Sequence, residues 1–518
     1  MELFFESRTN FSDFTGDFRT TLHQPDIHPE PILVNDQPGD LRGASIYGTV
    51  IREGGLFRMW YQAKPQGVTF TRQDTAAVGY AESDNGIDWR KPALRLVDIV
   101  EQPNNLCNLS LHCPSVVMVP GSDPAYRYRA TGYGSHALAM SHEKRRPGYY
   151  TMHSADGLHW EPDQDTPQWP GGDVISSAYH PMQGRILYGM KYYAKVGAVY
   201  RRCIHTAEWR AESGYTRPVS ALVPDEFDDI SATVRGYASC DYYGMGFLPA
   251  GSGTIGFLWN YWHSLPYTTV NTPGAHVSDN VALYGVCDVS LVYQCEPGGR
   301  WFHLPGRPTF IDRRHRWMKG MVFTASTPIE VGNEHWLYIT GKECEHGYHL
   351  EPDWNPNPRR SQLMPSFPSR IGLVRWPKYR LFGLKSSRSA AVTVNLGELS
   401  GPVELKLNYK TAFGGFVRVE VLDHPVQSGR MQTAGGRRPG GNGHLVVGQP
   451  DHPQRMRPRA RSHSCRRGYP VCLRGRSRLA RPHFRLAATC RSFSSMANPS
   501  TLIRHVRKLR QFAMVFLV

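Results

Sequence analysis

The chain lacks most of the signatures that place a protein quickly. Its ten cysteines include no CxxC pair. Neither a zinc site nor a disulfide framework is implied, and reduced buried thiols are expected. No apolar run approaches the ~20 residues of a membrane-spanning helix, and the terminal FAMVFLV is far shorter, so no membrane partner is expected. The opening MELFFESRTN has no basic segment leading into an apolar run. That predicts no signal peptide and a cytoplasmic protein; a start missing from this sequence would make it secreted or periplasmic. Gly-rich phosphate loops, GxSxG elbows and Cys/His catalytic pairs are missing from the body, and no cofactor is expected. Amphipathic helical windows are scarce. Acidic residues nearly vanish near the C-terminus, where Arg430 onward holds 18 Arg, one Lys and one Asp.

That last shortage explains the net charge of +16. The stretch from Arg430 carries +18, and the remainder has 41 basic against 43 acidic residues. The body is therefore close to neutral, and a nucleic-acid partner is not expected except through the tail.

What the chain has in quantity is glycine (50), proline (39), tyrosine (26) and tryptophan (12), a composition that favours short strands joined by turns. The order of these residues repeats. AESDNGIDW (Ala81 to Trp89) returns as MHSADGLHW (Met152 to Trp160), each after an alternating Tyr-rich run. Extending the motif gives five copies of a longer unit: a small, apolar strand, a turn, a strand ending in aromatics, and outer strands. They start at Ile46, Pro114, Val174, Tyr242 and Gly320. Each reads as four antiparallel strands, so an all-β five-bladed propeller is predicted. Glycine in the DNG and ADG turns supplies positive φ, and Trp89 and Trp160 are expected to pack against a neighbouring blade.

The stretches FRMWYQ…VGYAESDNGIDWRKP, YGMGFLP…GFLWNYW and TASTPIEVGNEHWLYI resemble the five-bladed propeller superfamily of glycoside hydrolases. This is the invertase, levansucrase and arabinanase group, with the nearest likeness to bacterial family-32 and family-43 glycosidase-like proteins. The resemblance runs from Leu3 to about Leu384. It implies catalytic acids where the innermost strands begin, and a C-terminal β-sandwich.

The period-two run LGELSGPVELKLNYKTAFGGFVRVEVLD (Leu396 to Asp423) fits the first strands of such a sandwich. The expected layout is a propeller over 1–384, a truncated sandwich over 385–428 and a disordered Arg-rich tail over 429–518. The Arg:Lys ratio shifts from 30:11 in the body to 18:1 in the tail. That is the pattern of a coding frame lost partway through the sandwich; a genuine basic tail is the other reading.

Glycoside cleavage needs two carboxylates flanking the scissile bond, one protonated and one acting as nucleophile or base. The strand starts offer Asp40, Asp173 and Asp241 from three units. The resemblance puts the base or nucleophile on Asp40; Asp173 would hold substrate hydroxyls and Asp241 would be the acid. Crowding of these acids is expected to raise at least one pKa. His112, Tyr47, Tyr242, Lys319, Glu345 and His346 are the expected substrate-binding residues. Glu330 reads as an exposed turn residue. The stretch HQPDIHPEP (His23 to Pro31) reads as an extended strap, with no metal expected. The leading function is a glycoside hydrolase acting on a carbohydrate. The alternatives are a non-catalytic carbohydrate-binding propeller and a phosphorylase-like enzyme, for which His112, Lys319 and Arg316 would hold phosphate.

Overall fold

The stretch IYGTVIREGGLFRMWYQ folds as its alternation demands. Ala44–Glu53 turns through Gly54 and Gly55, at φ +57° and +94°, into Leu56–Ala63. Glycine alone adopts both angles without a Cβ penalty. The computed structural model describes residues 11–395, apart from 66–76, 99–102, 135–145, 197–198, 265–284 and 347–367. Beyond 395 it describes only the strands Val403–Lys410, Phe416–Leu422, Gln432–Gly435, Asn442–Val447, Cys472–Leu473, His483–Thr489 and Gln511–Leu517.

Five antiparallel units follow one another. Their innermost strands are Ala44–Glu53, His112–Met118, Ile175–His180, Ser239–Ala250 and Met321–Thr324. In each unit a second strand pairs with the first and a third with the second or, in the fifth, Arg370–Pro377 with Glu334–Lys342. The fourth and fifth units join in one sheet through a parallel bridge between Cys287 and Met321. The outermost strand of the fifth unit comes from the other end of the chain: Asp26–Ile27 pairs with Arg375 and Val374. The His23–Pro31 stretch is thus a strap, and Trp317 Nε1 donates to Pro29 O at 2.8 Å.

The innermost strands touch in sequence and the last returns to the first. Val116 N donates to Thr49 Oγ1 (3.0 Å), Ser177 N to Ser115 Oγ (2.8 Å), Phe247 N to Ser326 O (2.7 Å) and Ser326 N to Gly48 O (3.0 Å). Between the third and fourth units, Gly244 packs on Val174. Side chains must be small where strands converge. A Cβ on Gly48 would lie 1.9 Å from Trp60 O, and one on Gly246 2.7 Å from Ala325 O.

The repeated turns lock neighbouring units together. Trp60 Nε1 of the first unit donates to Gly157 O of the second (2.7 Å), and Tyr338 of the fifth donates its hydroxyl to Gly86 O of the first (2.9 Å). Trp160 is buried in the cluster that contains Trp60 and Tyr80, and Trp89 meets Tyr338 edge-on at 5.6 Å. Both tryptophans do what the repeat implied.

Among the described residues one α-helix occurs, Glu226–Val234. Its sequence, DEFDDISATV with the cap included, holds a capping box: Asp225 accepts from Phe227 N, and Asp228 accepts from Asp225 N. Two further sheets follow the units. Phe11–Thr15 and Arg19–Leu22 pair with Ala390–Asn395 and Phe382–Lys385. Val403–Lys410 pairs with Asn442–Val447 and Gln511–Leu517, and Phe416–Leu422 with Gln432–Gly435 and His483–Thr489. The partners of these two strands come from segments of the Arg-rich stretch, such as HFRLAAT. The rest of the tail lies outside the described residues.

Gly157 sits at φ +81° with a hypothetical Cβ 2.7 Å from the Trp60 ring, whereas Gly184, at φ +59°, has nothing within 4 Å. Gly157→Ala is expected to lower stability by ~2–3 kcal/mol and Gly184→Ala by ~1 kcal/mol or less. Urea midpoints of the two variants check this.

Candidate functional site

The innermost strands of the first, second and fourth units all slip register near their starts, between Ser45 and Thr49, His112 and Ser115, and Tyr242 and Gly244. A bulge inserts a residue and re-aims the side chains around it. The slips bring Tyr47 and Tyr243 together, hydroxyls 3.3 Å apart, with His346 Nε2 3.3 Å from Tyr243 Oη. Tyr47 stacks on Phe323 at 4.2 Å and lies 5.5 Å from the His112 ring. Tyr242 goes elsewhere. It donates to Asp228 at 2.6 Å, lies 3.2 Å from His303 Nε2, and is buried with Leu187, Met245 and Leu258 between units. Its expected place at the site is taken by Tyr243.

Asp173 joins this cluster through His112. His112 Nε2 lies 3.1 Å from Asp173 Oδ1, and Lys191 forms an ion pair with the other carboxylate oxygen. His112 Nδ1 lies 2.9 Å from Gln62 Oε1, which also accepts from Cys113 N at 3.1 Å. Gln62 Oε1 is thus an acceptor, and Nδ1 donates to it. The second ring nitrogen faces the Asp173 carboxylate. Burial pushes the Asp173 carboxyl up, but Lys191 and His112 outweigh it and hold it well below the usual carboxylate range. Asp173 and Cys113 also carry φ of +102° and +55°. Strain of this kind costs ~1–3 kcal/mol per residue and clusters at functional sites.

The other two acids are sealed. Asp40 is 0% exposed; its Oδ2 accepts from Tyr61 (2.7 Å) and pairs with Lys91 (2.6 Å), and its Oδ1 accepts from Gln37 N (3.1 Å). Asp241 is also 0% exposed, held by Arg201 Nε (2.8 Å), Arg202 N (3.1 Å) and His263 Nε2 (3.1 Å). Burial raises the Asp241 carboxyl, but His263, Arg202 and Arg201 outweigh it and depress its pKa. The expected crowding of acids is corrected: each acid has a cation of its own, so Asp173 and Asp241 move down rather than up. The Asp173 side chain, by contrast, keeps 34% of its surface in solvent.

His346 is brought to the cluster, edge-on to Tyr243 and Tyr261 at 5.5 and 5.7 Å. Glu345, half-buried, acts electrostatically on Tyr261. Lys319 is exposed at the end of the short turn Arg316–Met318, and Arg316 pairs with Glu343 at 2.5 Å; neither meets His112. Glu330 is exposed, as expected, and pairs with Lys378. Gln62, Lys91, Lys191, Arg201 and Arg202 were not singled out from the sequence. One signal was there: Lys64, just past the second strand of the first unit, Lys191, midway along that of the third, and Lys342, at the end of that of the fifth, are each bonded through the backbone to the residue before an innermost strand, Gly43, Val174 and Gly320.

His112, Cys113 and Asp173 place donor atoms within 4.8 Å of one another. Burial pushes the Cys113 thiol well up, and Lys191 already neutralises Asp173, so this donor set does not suit a cation.

No family model and no curated protein sequence matches the chain. Its structure is similar to that of a thermostable family-43 glycoside hydrolase (12% identity, 66% of this chain and 93% of that one, TM-score 0.40). It is also similar to the family-32 β-fructofuranosidase of Bombyx mori (12%, 77% and 74%, 0.36) and to the β-1,2-mannobiose phosphorylase of Listeria innocua (8%, 67% and 93%, 0.37).

Asp241→Asn takes from Arg201, Arg202 and His263 the buried carboxylate they share, leaving Arg201 with Asp229, and is expected to cost ~3–5 kcal/mol. The folded pKa of Asp241 lies below the ordinary 3.8. Its contribution is therefore complete above pH 3.8 and is lost as the pH falls towards the folded value. Thermal melts across acid pH should show wild type losing stability more steeply than Asp241→Asn.

Proposed function

We propose that the five units are the blades of a five-bladed propeller followed by a β-sandwich, and that the protein is a carbohydrate-active enzyme cleaving a glycosidic bond in the funnel where the innermost strands begin. The observation that carries this reading is the Asp173–His112 pair. It holds a carboxylate with 34% of its side chain in solvent against an imidazole, beside the Tyr47, Tyr243 and His346 cluster.

In this reading Asp173 is the carboxylate that faces the sugar, ionised at neutral pH and suited to act as nucleophile or base. Lys191 and His112 orient it. Glu345, half-buried near Tyr261, supplies the second carboxyl, and a protonated side chain there would donate to the leaving oxygen. Asp40 and Asp241 act as positioning residues: Asp40 through Tyr61 and Lys91, Asp241 through Arg201, Arg202 and His263. The tyrosines offer hydroxyls and ring faces to sugar. Specific observations favour a second reading, a carbohydrate-binding propeller without catalysis: two of the three acids at strand starts have no exposed surface.

The test is a panel of aryl and natural glycosides assayed with wild type, Asp173→Asn and Glu345→Gln. Turnover by wild type that falls by about 10²-fold or more in each variant, with melting temperatures retained, is the expected result. Turnover that survives both substitutions removes these residues from the chemistry. Sugar binding without turnover on any substrate selects the binding reading.

A further inference from the structure

Three lysines occupy equivalent places, bonded through the backbone to the residue that precedes the innermost strand of the first, third and fifth units. Lys191 has a carboxylate, Asp173. Lys64 and Lys342 have none: among the described residues neither ammonium group has an ion pair or hydrogen bond. Lys342 is only 8% exposed. It lies within electrostatic reach of both Lys64 and Asp173, and Lys64 within reach of Arg42. Backbone bonds fix both lysines at the strand starts, Lys64 N to Gly43 O at 2.9 Å and Gly320 N to Lys342 O at 2.8 Å.

Folded proteins rarely bury a cation with no counter-charge, because the lost hydration is not replaced. Here Lys342 is buried and Lys64 half-buried, and the two lie in the same region, beside a carboxylate already matched to another lysine. Among the described residues, positive charge thus exceeds the anions beside it at the proposed sugar site. Burial and the like charge of Lys64 bring Lys342 down to about 7, so the empty site holds its second proton weakly. An incoming anion would restore it.

We propose that Lys64 and Lys342 form an oxyanion subsite of the funnel, taking a carboxylate or phosphate group that enters with the sugar. The proposal rests on the carbohydrate reading above and narrows it to acidic ligands. The anion has two possible sources: a uronic acid carboxylate on the substrate itself, or inorganic phosphate as a separate co-substrate.

Calorimetric titration of the full chain with glucuronate and galacturonate, with glucose and galactose, and with inorganic phosphate alone distinguishes them. Uronates binding about 10-fold or more tightly than their neutral counterparts, with the advantage lost in Lys342→Met and Lys64→Met, supports the subsite with the substrate as the source. Phosphate binding that is lost in the same variants supports it with phosphate as the source. In either case affinity should fall as the pH rises above about 7 in wild type, and this dependence should disappear in Lys342→Met. A merely structural lysine would not produce that change. Lys342→Met removes an uncompensated buried charge, so its melting temperature is not expected to fall. Anion binding that is absent, or unchanged in both variants, overturns the subsite even where neutral sugars bind. Phosphate binding through Lys342 with no sugar bound at all leaves the subsite standing and overturns the carbohydrate reading.

Discussion

Everything in the body of the molecule depends on a few backbone and hydroxyl contacts where the innermost strands converge. Ser115 Oγ lies 2.8 Å from Ser177 Oγ and 2.6 Å from Ser326 Oγ, and Ser326 N reaches Gly48 O. These residues come from four units and meet in a space that admits little more than a hydroxyl. Strands can approach so closely only when their polar groups are satisfied by one another, since water has no room to do it. Small residues here set the spacing of the units, and that spacing decides which side chains meet at the strand starts.

The three acids at that end are each matched locally. Asp40 meets Lys91, Asp173 meets Lys191, and Asp241 meets Arg201 and Arg202. Paired in this way a carboxylate stays ionised under burial, because the neighbouring cation offsets the lost hydration. The helix Glu226–Val234 belongs to the same arrangement. Asp229 on the helix takes the far side of the Arg201 guanidinium at 2.9 and 3.0 Å, so Arg201 bridges the helix to Asp241. Such a network rigidifies the seam between the third and fourth units, while Asp173 stays the least enclosed of the three acids.

Much of the strand pattern was legible because period-two alternation and Gly-containing turns act locally; Trp60 on Gly157 and Tyr338 on Gly86 follow from the repeat. The site was less so. Tyr242 and Tyr243 are adjacent, and only the register slip before Gly244 decides which faces the strand starts. Asp40, Asp173 and Asp241 are equivalent in sequence terms, yet two are enclosed and one is not, which depends on cations contributed by other strands. Lysines such as Lys191 and Lys342 read as ordinary strand residues until tertiary contacts show which has a partner. The helix after Asp225 was missed because its nine residues are too short to show a helical period above the surrounding strands.

The strap at Asp26–Ile27 carries a consequence for how the chain assembles. Asp26 meets Arg375 across a sequence separation of 349 residues, so this strand waits for a partner synthesised much later. Closing so long a loop is entropically costly and slow compared with forming any one hairpin. Until it closes, the outer edge of Arg370–Pro377 presents unpaired backbone groups to solvent, a template for strands of other molecules. Each unit can form as it emerges, but the finished body waits for its two ends to meet. The window for intermolecular misassembly is thus set by one two-residue strand.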